Sequence, residues 1–146
     1  MVYLLCLDVR KVTMMQKTKI LLVDIDDSLK EALGNLLDKI FTGKQYDLIQ
    51  VNLIRKALEI IKNNHIDLMI TDLQLLDGSG ISLLIQVQDS FPDIPKIVLT
   101  AYTYLVSEIE LELLGVKYLF RKPPNLSSLR KGIEKILLLK KEGNME

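Results

Sequence analysis

Four positions in this chain carry the residue types that handle a phosphoryl group. Asp24 closes the apolar run Lys19-Ile-Leu-Leu-Val23, with Asp26 and Asp27 just behind it. Asp72 closes a second run, Leu68-Met-Ile-Thr71, and Thr100 closes a third, Lys96-Ile-Val-Leu99. Lys122 lies just past a fourth, Tyr118-Leu-Phe120. Clustered carboxylates without histidine or cysteine suit a hard cation with oxygen ligands, Mg2+ above all. A lysine and a hydroxyl opposite that ion would hold the remaining phosphoryl oxygens as charge spreads. One carboxylate can itself be the nucleophile and carry an aspartyl phosphate. The set fits phosphoryl transfer to an aspartate, or phosphate hydrolysis through one. Each residue alone has an ordinary reading: Asp26 or Asp27 as a helix cap, Thr100 as a turn residue, Lys122 as a solvated cation.

The chemistry needs elements that bring these positions together. A continuous apolar run such as residues 19–23 reads as a parallel strand buried on both faces. Leu29, Leu33, Leu36, Leu37 and Ile40 then repeat at three and four, one face of a helix, with Ser28 and Glu31 as a capping box. Tyr46 to Val51 is a second strand, and Asn52 caps a helix carrying Ile54, Leu58 and Ile61. Residues 68–71 form the third strand. Asp77-Gly-Ser-Gly80 is a turn before a helix with Ile81, Leu84 and Ile85 inward. Pro92 and Pro95 precede the fourth strand; Leu105, Ile109 and Leu113 mark a helix that Gly115 ends. Tyr118 to Phe120 is the fifth strand, Pro123-Pro124 stops it, and Leu126, Leu129, Ile133, Ile136 and Leu137 mark the last helix. Strands alternating with helices imply an α/β fold with a doubly wound parallel sheet. Five such units suit the flavodoxin-like order 2-1-3-4-5, which places sites beyond the carboxyl ends of the strands. The second strand contributes no evident site residue.

Composition narrows the function. The 146 residues are 49% apolar and 26% charged, an ordinary globular mix that excludes a disordered chain. Nineteen basic residues balance nineteen acidic ones, so no global field favours a polyanion, and nucleic acid is not expected as a direct partner. One cysteine, Cys6, excludes a disulfide framework; one histidine, His65, excludes multi-histidine metal sites. The run Val2 to Leu7 is too short to span a bilayer and lacks a signal peptide's flanks. Residues 1–17 therefore read as an extension, 18–141 as the domain and 142–146 as a tail, in a cytoplasmic protein without a membrane partner.

Over residues 18–140 the chain resembles the receiver domain of two-component response regulators. The segments are Ile20-Leu-Leu-Val-Asp24; Asp67-Leu-Met-Ile-Thr-Asp-Leu73 with Gly80 eight residues past Asp72; Ile97-Val-Leu-Thr-Ala101; and Arg121-Lys-Pro123. The resemblance implies that Asp72 accepts a phosphoryl group from a histidine kinase or phosphotransfer partner. It implies Mg2+ held by Asp24, Asp72 and the main-chain carbonyl of Gln74. It gives Thr100 and Lys122 the phosphoryl oxygens, with Ala101, Tyr102 and Leu119 as switch neighbours. The resulting switch would alter the surface of the fourth helix, fifth strand and fifth helix, which meets a downstream protein or a second copy. The protein would then be a signalling switch and not an enzyme beyond self-dephosphorylation.

Three positions depart from that pattern. The second acid after the first strand is Ile25, so either Asp26 substitutes or Mg2+ binds weakly. Leu76 stands where a proline is common. Leu119, between Tyr118 and Phe120, stands at the aromatic switch position. Two rival readings follow. A receiver with a damaged metal site could serve as a phosphorylation-independent interaction module. Val23-Asp-Ile-Asp-Asp-Ser-Leu29 also resembles the first motif of haloacid-dehalogenase-like phosphatases, with Asp24 as nucleophile and Asp26 as acid/base; that family's later acidic pair is missing after Lys122. His65 reads as a helix-end or loop residue, Tyr104 as surface, and Lys140-Lys141 as a solvated helix terminus.

Overall fold

The structure, a computed structural model, describes residues 17–43, 45–103 and 106–145, with side chains described up to Leu138. Cys6, Tyr104 and Leu105 lie outside the described residues, as does nearly all of the expected extension. Five strands form one parallel sheet: β1 (Thr18–Val23), β2 (Tyr46–Val51), β3 (Leu68–Thr71), β4 (Lys96–Thr100) and β5 (Val116–Arg121). Their spatial order is β2-β1-β3-β4-β5, as the alternating pattern predicts. The helices are α1 (Asp27–Ile40), α2 (Ile54–Asn63), α3 (Gly80–Ser90), α4 (Glu108–Leu113) and α5 (Leu126–Met145). The last helix runs through most of the expected tail. Among the described residues no helix is long and apolar enough to cross a membrane.

The apolar runs have no polar alternation because each face of the sheet has its own cover. Ile20, Leu22, Leu68, Ile70, Ile97 and Leu99 point to one face and pack against Leu29, Leu33, Leu36 and Leu37 of α1 and Leu129, Ile133 and Ile136 of α5. Leu21, Val23, Met69 and Val98 point to the other and meet Ile54, Ala57 and Ile61 of α2, Leu83, Leu84 and Val87 of α3, and Leu111 of α4. Successive side chains of a strand alternate between faces, so one run feeds two cores.

Several local expectations need correction. Asp26, not Ser28 with Glu31, caps α1: its Oδ1 accepts from the amides of Ser28 and Leu29, at 3.0 and 3.3 Å, and from Ser28 Oγ at 2.6 Å. Asn52 does not cap α2; Leu53 precedes the helix without a side-chain bond. The cap comes instead from Asp77, whose carboxylate accepts from the amides of Ile54 at 2.7 Å and Arg55 at 3.2 Å. Asp77 sits at the tip of a small antiparallel pairing, Gln74–Leu75 with Gly78–Ser79, that follows β3. On α3 the inward set is Gly80, Leu83, Leu84 and Val87, and Ile85 is 52% exposed. On α4, Leu111 is inward while Ile109 and Leu113 face solvent. In both helices the apolar positions outnumber one face, so spacing alone left the buried side ambiguous. His65 lies past the end of α2, with Nε2 3.0 Å from Asp67 Oδ1.

Asp77 gives the fold a testable pH signature. The amides of Ile54 and Arg55 hold its carboxyl below the usual carboxylate range. A depressed folded value contributes stability that is present above the unfolded pKa and lost as pH falls through the folded one. Asp77→Ala is therefore expected to lower the melting temperature by a few degrees at pH 7. That difference should close below about pH 4 in thermal scans.

Candidate functional site

The parallel sheet sets the ends of β1, β3, β4 and β5 side by side, and their trailing residues converge. Asp24 and Thr100 are fully buried and Asp72 is 7% exposed. Lys122 Nζ lies 2.6 Å from Asp24 Oδ2 and 2.9 Å from Asp72 Oδ2. The second contact is a hydrogen bond. The first is an ion-pair contact, and Asp24 Oδ2 is a buried oxygen with no hydrogen-bond partner beyond it. The remaining lone pairs are fixed by backbone: Asp24 Oδ1 accepts from the Asp26 amide at 3.0 Å, and Asp72 Oδ1 from the amides of Leu73 at 2.6 Å and Gln74 at 3.3 Å. Thr100 Oγ1 accepts from the Tyr102 amide at 3.1 Å, while the Lys122 amide donates to the Thr100 carbonyl at 3.0 Å. The peptide bond between Lys122 and Pro123 is cis.

The three charged groups formally carry two negative charges and one positive in a poorly solvated space. Burial pushes the Asp24 carboxyl above its ordinary value, and the close approach of Lys122 offsets this only in part. Burial alone would pull the Lys122 ammonium down; the two carboxylates outweigh it and hold the lysine above its ordinary value. A raised carboxyl pKa means that Asp24 favours folding fully below about pH 3.8 and loses that contribution as pH rises through the folded value. At neutral pH Asp24 is thus a penalty. Asp24→Asn keeps the acceptor for the Asp26 amide and leaves Lys122 with one matched partner. We expect its melting temperature to exceed the wild type by a few degrees at pH 7.5, with the gain shrinking on acidification.

Residues around the four charged and hydroxyl groups complete the cluster, and one of them, Gln50, has no visible signal in the sequence. Gln50 of β2 donates from Nε2 to the carbonyls of Asp24 at 3.0 Å and Asp26 at 3.4 Å, so the second strand does serve the site. Gly80 starts α3 against the backbone of the aspartate: its amide bonds the Leu73 carbonyl at 2.8 Å, and a Cβ there would strike the Asp72 carbonyl oxygen and lie 2.8 Å from the Leu73 Cα. Asp26 is occupied as the α1 cap, and Ile25 is 54% exposed beside Asp24. Leu119 is half-buried against the core shared by α2, α3 and α4, whereas Tyr118 and Phe120 pack on the opposite face with ring centroids 6.0 Å apart. Leu76 is 65% exposed, as a loop position tolerant of either residue would be, and Tyr102 is 36% exposed.

A hard divalent cation fits the donors in kind. Two carboxylates converge on Lys122 Nζ, and one of their oxygens, Asp24 Oδ2, is buried without a hydrogen-bond partner. Among the described residues no group of three acidic, histidine or cysteine side chains could hold a metal, so two carboxylates are what the side chains supply.

Comparison with known proteins identifies the family and the fold. The family model described as the response regulator receiver domain matches residues 20–134. Curated relatives include the response regulator protein PilR of Pseudomonas aeruginosa, 29% identical over 126 residues, covering 86% of this chain and 27% of that protein. Sporulation initiation phosphotransferase F of Bacillus subtilis is also 29% identical over 126 residues, covering 86% of this chain and 98% of that protein. The chain spans about a quarter of the length of the first relatives it matches. Among solved structures, the signal receiver domain of an HD domain-containing protein from Pseudomonas fluorescens superposes with a TM-score of 0.76 at 22% identity, covering 90% of this chain and 94% of that one. A CheY-like receiver domain protein from Methanospirillum hungatei gives 0.76 at 24% identity, covering 87% and 98%. Such domains are in general signalling modules that work with histidine kinases or phosphotransfer proteins. By its matched residues, its strand order and the side chains gathered at the strand ends, this chain belongs to the response regulator receiver domain family.

Proposed function

We propose that Asp72 accepts a phosphoryl group from the phosphohistidine of a kinase or phosphotransfer partner, and that the resulting charge switches a protein-binding surface. The observation that carries this reading is the pairing of Asp72 Oδ2 with Lys122 at 2.9 Å at the one carboxylate of the cluster that keeps an opening to solvent. In the transfer, an Asp72 oxygen attacks phosphorus, a P–O bond forms, the P–N bond breaks, and its electrons leave with the imidazole. The amides of Leu73 and Gln74 hold the other Asp72 oxygen, which aims the attacking one. Lys122 neutralises the oxygens of the group that arrives. Thr100 exchanges the Tyr102 amide for a phosphoryl oxygen. When bound, Mg2+ offsets phosphoryl charge; Asp24, Asp72 and the Gln74 carbonyl would hold it, weakly because Ile25 supplies no oxygen.

Movement of Thr100 draws on the loop that leads to α4, whose Ile109 and Leu113 are 72% and 75% exposed. The α4–β5–α5 face is our candidate surface for a downstream protein or a second copy, in the cytoplasm. Leu119 has no ring to swing between two positions, so coupling would run through the loop instead. A second reading, an interaction module that never takes phosphate, is favoured by Ile25 and by the absence, among the described residues, of a third acid in the cluster. The phosphatase reading is weaker, since Asp24 is sealed from solvent.

Intact mass spectrometry after incubation with acetyl phosphate and Mg2+ separates these. The proposal expects an adduct of one phosphoryl mass, absent in Asp72→Asn. Neither adduct nor turnover supports the module; turnover abolished by Asp24→Asn supports the phosphatase.

A further inference from the structure

Lys96 stands at the opposite end of the sheet from the phosphoryl site, and its side chain is fully buried. Nothing in the proposed phosphoryl chemistry uses it. Its Nζ bonds Gln88 Oε1 of α3 at 2.8 Å and the carbonyl of Ile94, in the loop before β4, at 3.0 Å. Gly115, in the turn between α4 and β5, has φ +77°, and a Cβ built there would lie 3.1 Å from Nζ and against the Gln88 side chain. The strand pairing also shifts here. Lys96 pairs with Val116 and Ile97 with Tyr118, so Lys117 is an extra residue bulged out of β5.

Both acceptors are neutral, and among the described residues no carboxylate pairs with Lys96. A neutral amine has two N–H groups and finds two acceptors; an ammonium has a third N–H to place. The charged groups nearby do not favour the ammonium. Lys117 adds a like charge from β5. Lys135 of α5 and Asp93 of the loop line the groove bordered by Gln88, Ile94 and Gly115, one cation and one acid. β3 contributes the apolar Met69 beside the lysine. Burial first, and Lys117 second, bring the Lys96 pKa down to about 8.

The geometry points to Lys96 as a proton-controlled clamp: the neutral amine ties α3 to the loop before β4, tucked against the α4–β5 turn at Gly115, and taking up a proton loosens that junction. This device is independent of phosphorylation. It would let small pH changes bias how α3 holds the loop that leads into β4.

Carbon-13 lysine NMR on the full chain reads it directly. The Lys96 Cε signal should titrate near pH 8, and the amides of Gln88, Ile94 and Gly115 should move with the same midpoint. Gln88→Glu supplies the missing carboxylate and should raise the Lys96 midpoint by a unit or more. Thermal scans add a second readout. A lowered lysine pKa makes stability rise with pH between the folded and unfolded values. The wild type should therefore gain stability between pH 8 and pH 10 relative to Lys96→Met, which has no amine to titrate. A Lys96 midpoint at the ordinary lysine value, or amides at the junction that ignore it, would overturn the clamp.

Discussion

Replacing Lys122 with methionine is expected to damage both the fold and the chemistry. The substitution keeps the apolar stem and removes, among the described residues, the only positive charge within 2.9 Å of Asp24 Oδ2 and Asp72 Oδ2. Breaking a fully buried pair costs roughly 3–5 kcal/mol because a charge is left uncompensated. Here the lysine side chain is 18% exposed and water can enter at the rim. We therefore expect about 2 kcal/mol at pH 8, below the range for a fully buried pair. The wild-type lysine, with its raised pKa, contributes fully below about pH 10.5 and loses the contribution only above it. In the variant the two carboxylates repel, and protonation relieves them, so the deficit should shrink as pH falls toward 5. Phosphoryl acceptance should drop about a hundredfold or more, the usual effect of removing one preorganised charge from a transfer site. Urea titrations at two pH values and the rate of adduct formation check the two halves separately.

The second large effect is expected at Gly80, which contributes no side chain at all. An added methyl would collide with the Asp72 carbonyl and crowd the Leu73 Cα, both of them main-chain atoms that cannot rotate away. The helix start, the aspartate or both must shift. Overpacking of this kind costs about 1–3 kcal/mol. Asp72 is aimed by the amides of Leu73 and Gln74, so its carboxylate travels with that segment. Misplacement by about 1 Å can cost up to about a hundredfold in rate. Gly80→Ala should thus lose acceptance out of proportion to stability. A variant that unfolds earlier yet takes phosphate at the wild-type rate would show that Gly80 matters to packing alone.

Much of the architecture was legible because it follows from one-dimensional physics. Runs such as Ile20 to Val23, short and set between helical patterns, read as central strands, and parallel strands joined by helices put Asp24, Asp72, Thr100 and Lys122 on one edge. Long-range partners were not legible. Asp77 caps α2 from 23 residues away, and Gln50 braces Asp24 from the neighbouring strand; neither spacing has a local signature. The faces of α3 and α4 were misjudged at Ile85, Ile109 and Leu113 because apolar residues occupy more than one side of each helix. Lys96 looked like the polar start of a strand, and only the packed chain reveals that its amine is enclosed. Gly80 was visible as a spacing from Asp72, but the reason for it is a close backbone approach that appears only in three dimensions.

The central claim is that Asp72 itself carries the phosphoryl group although Ile25 replaces an acid. Borohydride reduces an acyl phosphate to the alcohol, turning a phosphorylated aspartate into homoserine, and peptide mass mapping then finds the residue. After acetyl phosphate and Mg2+, the account predicts homoserine at position 72 and nowhere else. Homoserine at position 24, or a chain left unmodified while a control receiver is labelled in the same tube, would contradict it.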